Sequence, residues 1–390
     1  MSTFQGKLAE MPEISIDRFD GSNFEAEAFF LSHCHTDHMV GLQDPKFQQN
    51  LVENNRFLYL SHVSAQILKN MYPKIANNLV ELDLHYPTTV PLKGRVLAVM
   101  PIPAGHCPGS VMFLFETDQN VLYTGDYRIN PGDISKFKAF YDSYNNRKRI
   151  DAVYLDTTFF LKEYARFPKR GESLDEICTI IKEWISRSDK HVVGLNTSAK
   201  YGYEYLFMEI FKTLKMPVHV NDEIYEFYSR VPELDQAVTR SKHLTKIHSA
   251  CGSTYTVICA NTVAYKIKTI KISAFRWKSE SLQNGISESH HNTHFVCYST
   301  HASYEEGVEL LKFLKPKKVE ANVLHKKPTV DREILANIEE NLRGGEEPET
   351  KKIKLFEVVE EERGEDVARV SADEDENFIL DSPPRRLSTL

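Results

Sequence analysis

Short apolar runs that end on polar residues dominate the first 156 positions of the chain. Six of them have the length and residue content that predict strands, at positions 14–17, 28–32, 95–102, 110–115, 121–126 and 151–156. Four of the six end at, or lead directly into, an aspartate or a histidine. We therefore expect these strands to bring metal-binding types of side chain to the edge of a sheet.

The second half of the chain alternates between helical and extended patterns. Ile177, Ile181 and Trp184 recur at helical spacing and predict a helix over 173–188, which is followed by a strand at 191–195 and a helix at 203–214. A strand at 294–298 and a helix at 304–314 continue the series. Such alternation is typical of an α/β protein.

Four side chains that commonly bind metals lie within six positions, in the motif His-Cys-His-Thr-Asp-His that begins at His33. Side chains on a strand alternate between its two faces, so His33 and His35 point the same way. Asp37 and His38 lie on the turn beyond and can reach a neighbouring metal ion. The density of ligand-type residues is far greater than a fold requires.

Two later strand ends complete the candidate metal centre. Imidazole nitrogens and carboxylate oxygens together suit Zn²⁺. One site would contain His33, His35 and His106. The other would contain Asp37 and His38, and Asp126 would bridge the two. Two metals about 3.5–4 Å apart can activate a water and clamp the oxygens of a phosphodiester. We expect Asp17, at the end of the first strand, to orient a ligand histidine.

Composition narrows the class of protein. Of the residues, 41% are hydrophobic and 26% are charged, as in ordinary globular proteins. No apolar run approaches the roughly 18–20 residues of a membrane helix, so no membrane partner is expected. The first positions lack a secretory pattern, and the 6 cysteines are scattered. We expect reduced thiols or metal ligands in a cytosolic or nuclear protein.

The net charge of −7 is concentrated near the C-terminal end. The residues from Arg343 onward include 8 basic and 14 acidic side chains, whereas the preceding residues include 40 and 41. We predict a disordered acidic tail over 343–390. Residues 1–342 are nearly neutral, so we expect them to bind a polyanion through local basic patches and metal ions.

The metal motif, with its later histidine and aspartate, resembles the metallo-β-lactamase superfamily, whose fold is an αββα sandwich. The stretches 154–159 and 298–304 resemble two motifs of its β-CASP branch, which processes nucleic acids. The resemblance implies an α/β fold in which a β-CASP α/β domain (156–290) is inserted between two parts of the sandwich (1–155 and 291–342), before the tail (343–390). It also implies that Asp156 and His301 act together on the leaving oxygen, beside Asp37 and Asp126.

A third position of the branch falls near Val323. RNA-cleaving members tend to carry a metal-binding histidine there and DNA-processing members a valine, so the resemblance favours DNA and a looser second metal. His325, two residues further on, leaves an RNA endonuclease of the 3′-end-processing type as an alternative. A non-catalytic DNA-binding scaffold is another, and a small-molecule hydrolase is disfavoured because such enzymes lack the inserted segment.

Further stretches, at 15–20, 30–35, 103–115 and 201–207, resemble the hairpin-opening members of the branch that act in non-homologous end joining. The resemblance implies a nuclear DNA endonuclease acting on hairpins, overhangs and single-strand/double-strand junctions, with room for a 5′-exonuclease activity. It implies one or two active-site zinc ions, the second replaceable by Mg²⁺ or Mn²⁺. It also implies DNA-dependent protein kinase and other end-joining factors as partners.

A second zinc, of structural type, is predicted in the inserted segment. Two histidines and two cysteines provide a common closed tetrahedral set: His219, His248, Cys251 and Cys259. The relatives are expected to have a comparable site. In their pattern one residue separates the histidine from the cysteine, whereas two residues separate His248 from Cys251 here, so either the loop bulges or Cys251 is not a ligand. The alternative is that Cys259 is a buried strand residue and Cys251 a free surface thiol.

Several basic residues are candidates for contact with backbone phosphates. Lys200 and Lys271 are the two residues that we predict to bind DNA. Further candidates are Arg128, Arg276 and Lys278. For each of them, an ordinary solvated surface position is favoured over a phosphate contact.

Overall fold

Three β-sheets organise the chain. The computed structural model describes residues 2–197, 202–229, 231, 234–252, 258–260 and 264–343, all of which fall in the first of the two units of the chain, Met1–Gly345. The strands are β1 (Ile14–Ile16), β2 (Ala28–Leu31), β3 (Leu58–Ser61), β4 (Leu79–Leu82), β5 (Thr88–Leu92), β6 (Arg95–Pro103), β7 (Val111–Glu116), β8 (Asn120–Tyr123), β9 (Ala152–Leu155), β10 (His191–Thr197), β11 (Val218–His219), β12 (Val238–Thr239), β13 (Ile247–Ser249), β14 (Lys266–Ser273), β15 (Ser287–His290), β16 (Thr293–Cys297) and β17 (Lys318–Ala321). The α-helices are α1 (Pro45–Glu53), α2 (His62–Met71), α3 (Arg170–Ile185), α4 (Glu204–Leu214), α5 (Asp222–Tyr228), α6 (Ser279–Leu282), α7 (Tyr304–Leu314) and α8 (Pro328–Arg343).

The strand order shows how the sheets are built. The first sheet has the order β1-β2-β3-β4 and is parallel throughout. The second has the order β17-β9-β8-β7-β6-β5, with β17, β9 and β8 parallel and the remaining pairs antiparallel. The third has the order β12-β11-β13-β10-β14-β16-β15, parallel except for the hairpin of β15 with β16.

The first two sheets pack face to face. Phe30 and Tyr59 of the first sheet share one buried cluster with Val99 and Phe113 of the second. Because strand side chains alternate, the neighbouring Phe29 points to the opposite face of its sheet. There it packs in a second cluster with residues of α1 and α2.

The outer face of the second sheet is also covered by helices. Leu114 of β7 and Val153 of β9 share a buried cluster with Leu310 of α7 and Ile334 of α8. Helix, sheet, sheet and helix therefore form successive layers. The predicted αββα sandwich is confirmed.

The third sheet forms an α/β segment inserted between β9 and α7. Val193 of β10 packs with Ile181 of α3, Leu206 of α4 and Ile224 of α5 in a separate buried cluster. The domain boundaries predicted after 155, 290 and 342 remain a prediction. The predicted tail, apart from Arg343 at the end of α8, lies outside the described residues. Among the residues described, no helix combines the length and apolar character needed to cross a bilayer.

Substitution of Phe30 by alanine should destabilise the sandwich strongly. Its side chain is fully buried, and its ring lies 5.2 Å from that of Tyr59, 5.5 Å from that of Phe113 and 5.0 Å from that of Phe115, centroid to centroid. We expect Phe30→Ala to lower the free energy of unfolding by about 3–5 kcal/mol in guanidinium titrations, because it leaves a cavity between the sheets. Tyr86→Ala, at an exposed ring, should change it by less than about 0.5 kcal/mol. Similar losses in the two variants would contradict this packing.

Candidate metal centre

Asp17 anchors the floor of the candidate site. It follows β1 and has φ +54°, a left-handed conformation that aspartate adopts more readily than most residues. Its buried carboxylate accepts hydrogen bonds from the amide of Ser32 at 2.7 Å and from the Ser32 hydroxyl at 2.6 Å. The hydroxyl of Tyr123 donates to Oδ2 of Asp17 at 2.9 Å, and Nδ1 of His38 lies 2.8 Å from the same Oδ2 atom. These donors fix the position of the carboxylate.

These contacts also determine which nitrogen of each histidine is free. The Ser32 hydroxyl gives its hydrogen to Asp17, so it accepts from Nδ1 of His33 at 2.9 Å. Nδ1 of His38 donates to Asp17, and Nδ1 of His106 donates to the carbonyl of Thr300 at 2.9 Å. In all three rings Nε2 is therefore the nitrogen that would face a metal ion.

The free nitrogens converge on the carboxylate of Asp126, which follows β8. Its Oδ2 lies 3.3 Å from Nε2 of His38, 3.7 Å from that of His106 and 3.8 Å from that of His33. The side chains of His33, His38 and His106 are all buried. A buried carboxylate ringed by imidazole nitrogens is the environment in which a cation is stabilised.

One complete set of ligands is present. The ligand atoms of His33, His35, His106 and Asp126 all lie within 4.8 Å of one another. Nδ1 of His35 is 3.1 Å from Nε2 of His106. Zinc–nitrogen bonds of 2.0–2.1 Å in a tetrahedron place two nitrogens about 3.3 Å apart, so the spacing fits zinc.

A second group shares Asp126 with the first and consists of Asp126, Asp156 and His301. Nδ1 of His301 lies 2.9 Å from Oδ2 of Asp156 and 3.9 Å from Oδ2 of Asp126. Asp37, which we assigned to the second metal with His38, has its Oδ2 3.7 Å from Nε2 of His38 and accepts a hydrogen bond from the amide of Ser2 at 2.8 Å. Asp126 is thus the residue common to both groups.

The charges of the site suit a metal ion. Burial and the neighbouring imidazoles hold the pKa of His33 and of His106 well below the usual range, so both rings are neutral. Burial opposes ionisation of Asp126, but His38 and His301 outweigh it and hold its pKa well below the usual range. Burial disfavours a charged His38 ring, but the carboxylates of Asp126, Asp37 and Asp17 outweigh it and raise the pKa of His38. A metal ion would therefore displace a proton there, whereas His33 and His106 are already neutral.

Glu204, at the start of α4, is a neighbour of this site that the sequence reasoning missed. It is buried, its Oε1 accepts a hydrogen bond from the amide of Gly202 at 2.9 Å, and its Oε2 has no hydrogen-bond partner among the described residues. Gly202 has φ +103°, and a Cβ there would lie 3.0 Å from the ring of His35. Burial lowers the pKa of His35 and Glu204 opposes the shift. The inserted segment therefore supplies one wall of the site.

The residues predicted to contact DNA differ in their positions and exposure. Lys200 lies outside the described residues. Lys271 is exposed on β14, with its Nζ 5.9 Å from the ring centroid of Phe295. Arg128 is wrong as a phosphate contact, because it is buried and its guanidinium binds the carbonyl of Ser299 at 2.7 Å and the carboxylate of Glu306 at 3.3 Å.

The other two candidates are held in ion pairs. Arg276 pairs with Glu288 at 2.9 Å, and Lys278 pairs with Glu163 at 3.0 Å. Both remain partly exposed. Such exposed pairs contribute little to stability.

A four-residue cluster lies in the third sheet, apart from the site just described. His219 ends β11, His248 lies in β13, and the ligand atoms of both lie within 4.8 Å of those of Cys251 and Cys259. The two Nδ1 atoms are 3.1 Å apart, and Sγ of Cys259 is 3.5 and 3.6 Å from them. A zinc tetrahedron gives about 3.3 Å for such a nitrogen pair and about 3.5 Å for nitrogen to sulfur, so this set also fits zinc.

The spacing between His248 and Cys251 is accommodated by the backbone of Ala250. This residue has φ +46°, a left-handed conformation uncommon for alanine. The resulting turn brings Sγ of Cys251 to 3.9 Å from Nδ1 of His248, and the amide of Cys259 donates to that sulfur at 3.2 Å. The expected bulge in the loop is therefore present.

Comparisons with known proteins show that the chain is similar to DNA repair proteins. The family model described as "DNA repair metallo-beta-lactamase" matches residues 229–327. The chain is 36% identical to "Protein artemis" of Gallus gallus, covering 90% of this chain and 52% of the relative. It is 34% identical to "Protein artemis" of Homo sapiens, covering 98% and 57%. The "5' exonuclease Apollo" of Gallus gallus is 28% identical, covering 75% and 57%. The chain spans about half the length of the artemis relatives.

Substitution of Asp17 by asparagine should weaken metal binding without disturbing the backbone. Asparagine tolerates the left-handed conformation, but its amide is a weaker acceptor for Nδ1–H of His38. We expect Asp17→Asn to lower metal affinity about 10- to 100-fold in competition titrations with a chelator. Tyr123→Phe removes one donor and keeps the carboxylate, so a change below about threefold is expected. Unaltered affinity in Asp17→Asn would show that Asp17 does not orient a metal ligand.

Proposed function

The chain belongs to the metallo-β-lactamase/β-CASP family of DNA repair proteins, and from this premise we propose that it is a zinc-dependent DNA endonuclease. Its substrates would be hairpins, overhangs and single-strand/double-strand junctions, with a 5′-exonuclease activity on free ends. The observation that carries the proposal is the carboxylate of Asp126, which belongs to the metal-type group of His33, His35 and His106 and also lies 3.3 Å from Nε2 of His38. A shared carboxylate suits a two-metal phosphodiesterase.

The proposed metal content follows from the ligand sets. His33, His35 and His106 would hold one zinc, Asp37 and His38 would hold the second metal, and Asp126 would bridge them. The second metal is proposed as zinc, exchangeable with Mg²⁺ or Mn²⁺, because carboxylate-rich positions also accept hard cations. Bound there, the two ions would lower the pKa of water and neutralise charge on the phosphodiester.

Asp156 and His301 would supply the proton for the leaving oxygen. The amide and hydroxyl of Thr158 donate to Oδ1 of Asp156 at 3.0 and 2.6 Å, so Oδ2 is available to accept from Nδ1–H of His301. Burial disfavours the charged ring, but the carboxylates of Asp156 and Asp126 outweigh it and raise the pKa of His301. A second proton is thereby kept on Nε2, from which a general acid can transfer it.

The third β-CASP position supports DNA over RNA. Val323 is buried and offers no metal ligand. Nε2–H of His325 donates to the carbonyl of Thr158 at 3.1 Å, and its amide binds the carboxylate of Asp331 at 2.7 Å. His325 is therefore engaged with the backbone, and it does not belong to the metal-type groups found in the described part of the chain.

Cleavage assays test the proposal. Purified full-length protein should cleave a labelled DNA hairpin and a 5′-overhang duplex, lose that activity with chelator, and leave single-stranded RNA intact. We expect Asp37→Ala to abolish cleavage because a metal ligand is lost, while Asp118→Ala, at an exposed aspartate, should behave as wild type. Hairpin cleavage by Asp37→Ala within about tenfold of wild type would refute the two-metal assignment, and binding without any cleavage by wild type would favour a scaffold.

We also propose that the cluster of His219, His248, Cys251 and Cys259 holds a structural zinc. Burial lowers the pKa of His248 to about 4, so its ring is neutral and ready to bind. The same burial raises the pKa of Cys251 to about 12, and a zinc ion would reverse this by stabilising the thiolate. The closed set has no open position, as structural zinc sites require.

Removal of the two cysteines should cost the protein one zinc. Cys251→Ala/Cys259→Ala protein should contain one zinc fewer per chain by mass spectrometry and melt at a lower temperature, because metal binding contributes folding free energy. Cys178→Ala removes a buried thiol outside both metal groups and should keep the full zinc content. If the double variant kept both its zinc and its melting temperature, the site would not exist.

The cellular setting is proposed from the sequence resemblance to end-joining nucleases. We place the protein in the nucleus, acting with DNA-dependent protein kinase and other end-joining factors in repair of double-strand breaks. Co-purification of the kinase from nuclease-treated nuclear extract with the full-length chain tests the partnership. Its absence there would limit the proposal to the nuclease itself.

A further inference from the structure

An exposed aromatic ring stands at the rim of the candidate site. Phe275 lies in the turn after β14, which is closed by a hydrogen bond of 2.9 Å from the amide of Trp277 to the carbonyl of Ala274. Ala274 and Trp277 are buried, whereas Phe275 is 53% exposed. In the described ranges it is the one phenylalanine among the exposed large apolar side chains. A single exposed apolar side chain is ordinary at a protein surface, and this ring is distinguished by its fixed packing beside the candidate site.

The ring is held in place by three neighbouring rings. It packs on the buried ring of Phe159 at 4.6 Å between centroids, and the centroids of the Tyr164 and His325 rings each lie 6.4 Å from its own. The hydroxyl of Tyr164 donates to the carbonyl of Phe275 at 3.2 Å, which fixes the turn. A side chain already ordered in this way loses little entropy when a ligand binds.

Phe159 connects this ring to the proposed general acid. Its centroid is 6.1 Å from that of His301. Phe275 and His301 are thus separated by one intervening ring. At about 3.4 Å per stacked nucleotide, the two lie within about three nucleotides of each other along a DNA strand.

We propose that the exposed face of Phe275 is a stacking platform for an unpaired nucleobase within about three nucleotides of the scissile phosphate. The inference rests on the proposed nuclease function and deepens it by naming what the site recognises beside the cut. Bases stack on aromatic side chains irrespective of sequence, because every base has a π-face. A paired base is already stacked in its duplex, so the platform favours substrates with unpaired nucleotides next to the cleaved bond.

The charges at this turn support DNA recognition by the ring of Phe275 rather than by the neighbouring guanidinium of Arg276. Arg276 makes two contacts with the carboxylate of Glu288, at 2.9 and 3.1 Å, and its guanidinium lies 4.2 Å from the ring centroid of Phe295. Its charge is therefore compensated within the protein. Recognition at this turn would depend on stacking, with weak dependence on salt.

Fluorescence of 2-aminopurine tests stacking independently of cleavage. The nucleotide is placed in turn at each position near the tip of a DNA hairpin, and binding is measured with cleavage-deficient Asp37→Ala protein. Quenching at one position should occur with Phe275 and with Phe275→Tyr, and should disappear with Phe275→Ala and Phe275→Leu, since leucine keeps apolar volume but has no π-face. The last two should bind the hairpin about 5- to 30-fold more weakly. Tyr144→Ala, which removes another exposed ring, should leave both signals unchanged.

Kinetics with an abasic substrate provide the second measurement. An abasic site at the position where quenching occurs should lower the rate of hairpin cleavage by the wild-type enzyme about 5- to 30-fold. The same abasic site should not change the rate of Phe275→Ala protein, because the abasic site and the substitution each remove one partner of the same stacking contact. Quenching that persists in Phe275→Ala, or equal abasic effects in both enzymes, would overturn the proposal. If wild type cleaved no DNA while quenching still required the ring, the nuclease function would fail and the stacking site would stand.

Discussion

The carboxylate of Asp126 is the constraint around which the site is organised. It is buried, and nitrogens of four imidazoles lie between 3.3 and 3.9 Å from its Oδ2. An ionised carboxylate in such surroundings is costly unless a cation compensates it. The hydrogen bonds behind the ligands, from His38 to Asp17 and from His106 to the carbonyl of Thr300, turn the Nε2 atoms inward. The surrounding fold thus prepares a centre rich in carboxylates and imidazoles that suits metal ions.

The sandwich brings this centre together because parallel strands deliver their C-terminal ends to one edge. Asp17 follows β1 and His33 follows β2 in the first sheet, while Asp126 and Asp156 follow β8 and β9 in the second. The ligands come from both sheets, so a bound metal would link the two halves of the sandwich. Since metal binding then contributes to folding free energy, the stability of the interface between the sheets and the affinity for metal are coupled.

The sequence predicted some elements with long helical periods and marked ends, although the 16-residue helix α8 was missed. Helix α7 begins and ends where expected, because its helical spacing follows Ser303 and Glu306, which form a capping box. The four-residue strands β3 and β4 were missed, since short buried runs have no distinctive period. Glu204 was missed because an acidic residue at the start of a helix is ordinary there. The left-handed turn at Ala250 has no signal in the sequence, although the ligands on either side of it were recognised from their chemistry.

The pairing of Asp156 with His301 depends on a contact between the sandwich and the inserted segment. Asp156 follows β9 of the second sheet, whereas His301 follows β16, which pairs with β14 of the third sheet. A shift between these sheets would change the 2.9 Å contact on which the proposed proton transfer depends. Arg128 opposes such a shift, because its buried guanidinium joins the carbonyls of Ser299 and Pro168 to the carboxylate of Glu306. A charge that resembled a phosphate contact in the sequence therefore acts inside the protein, where it holds the two residues of the proposed catalytic pair in position.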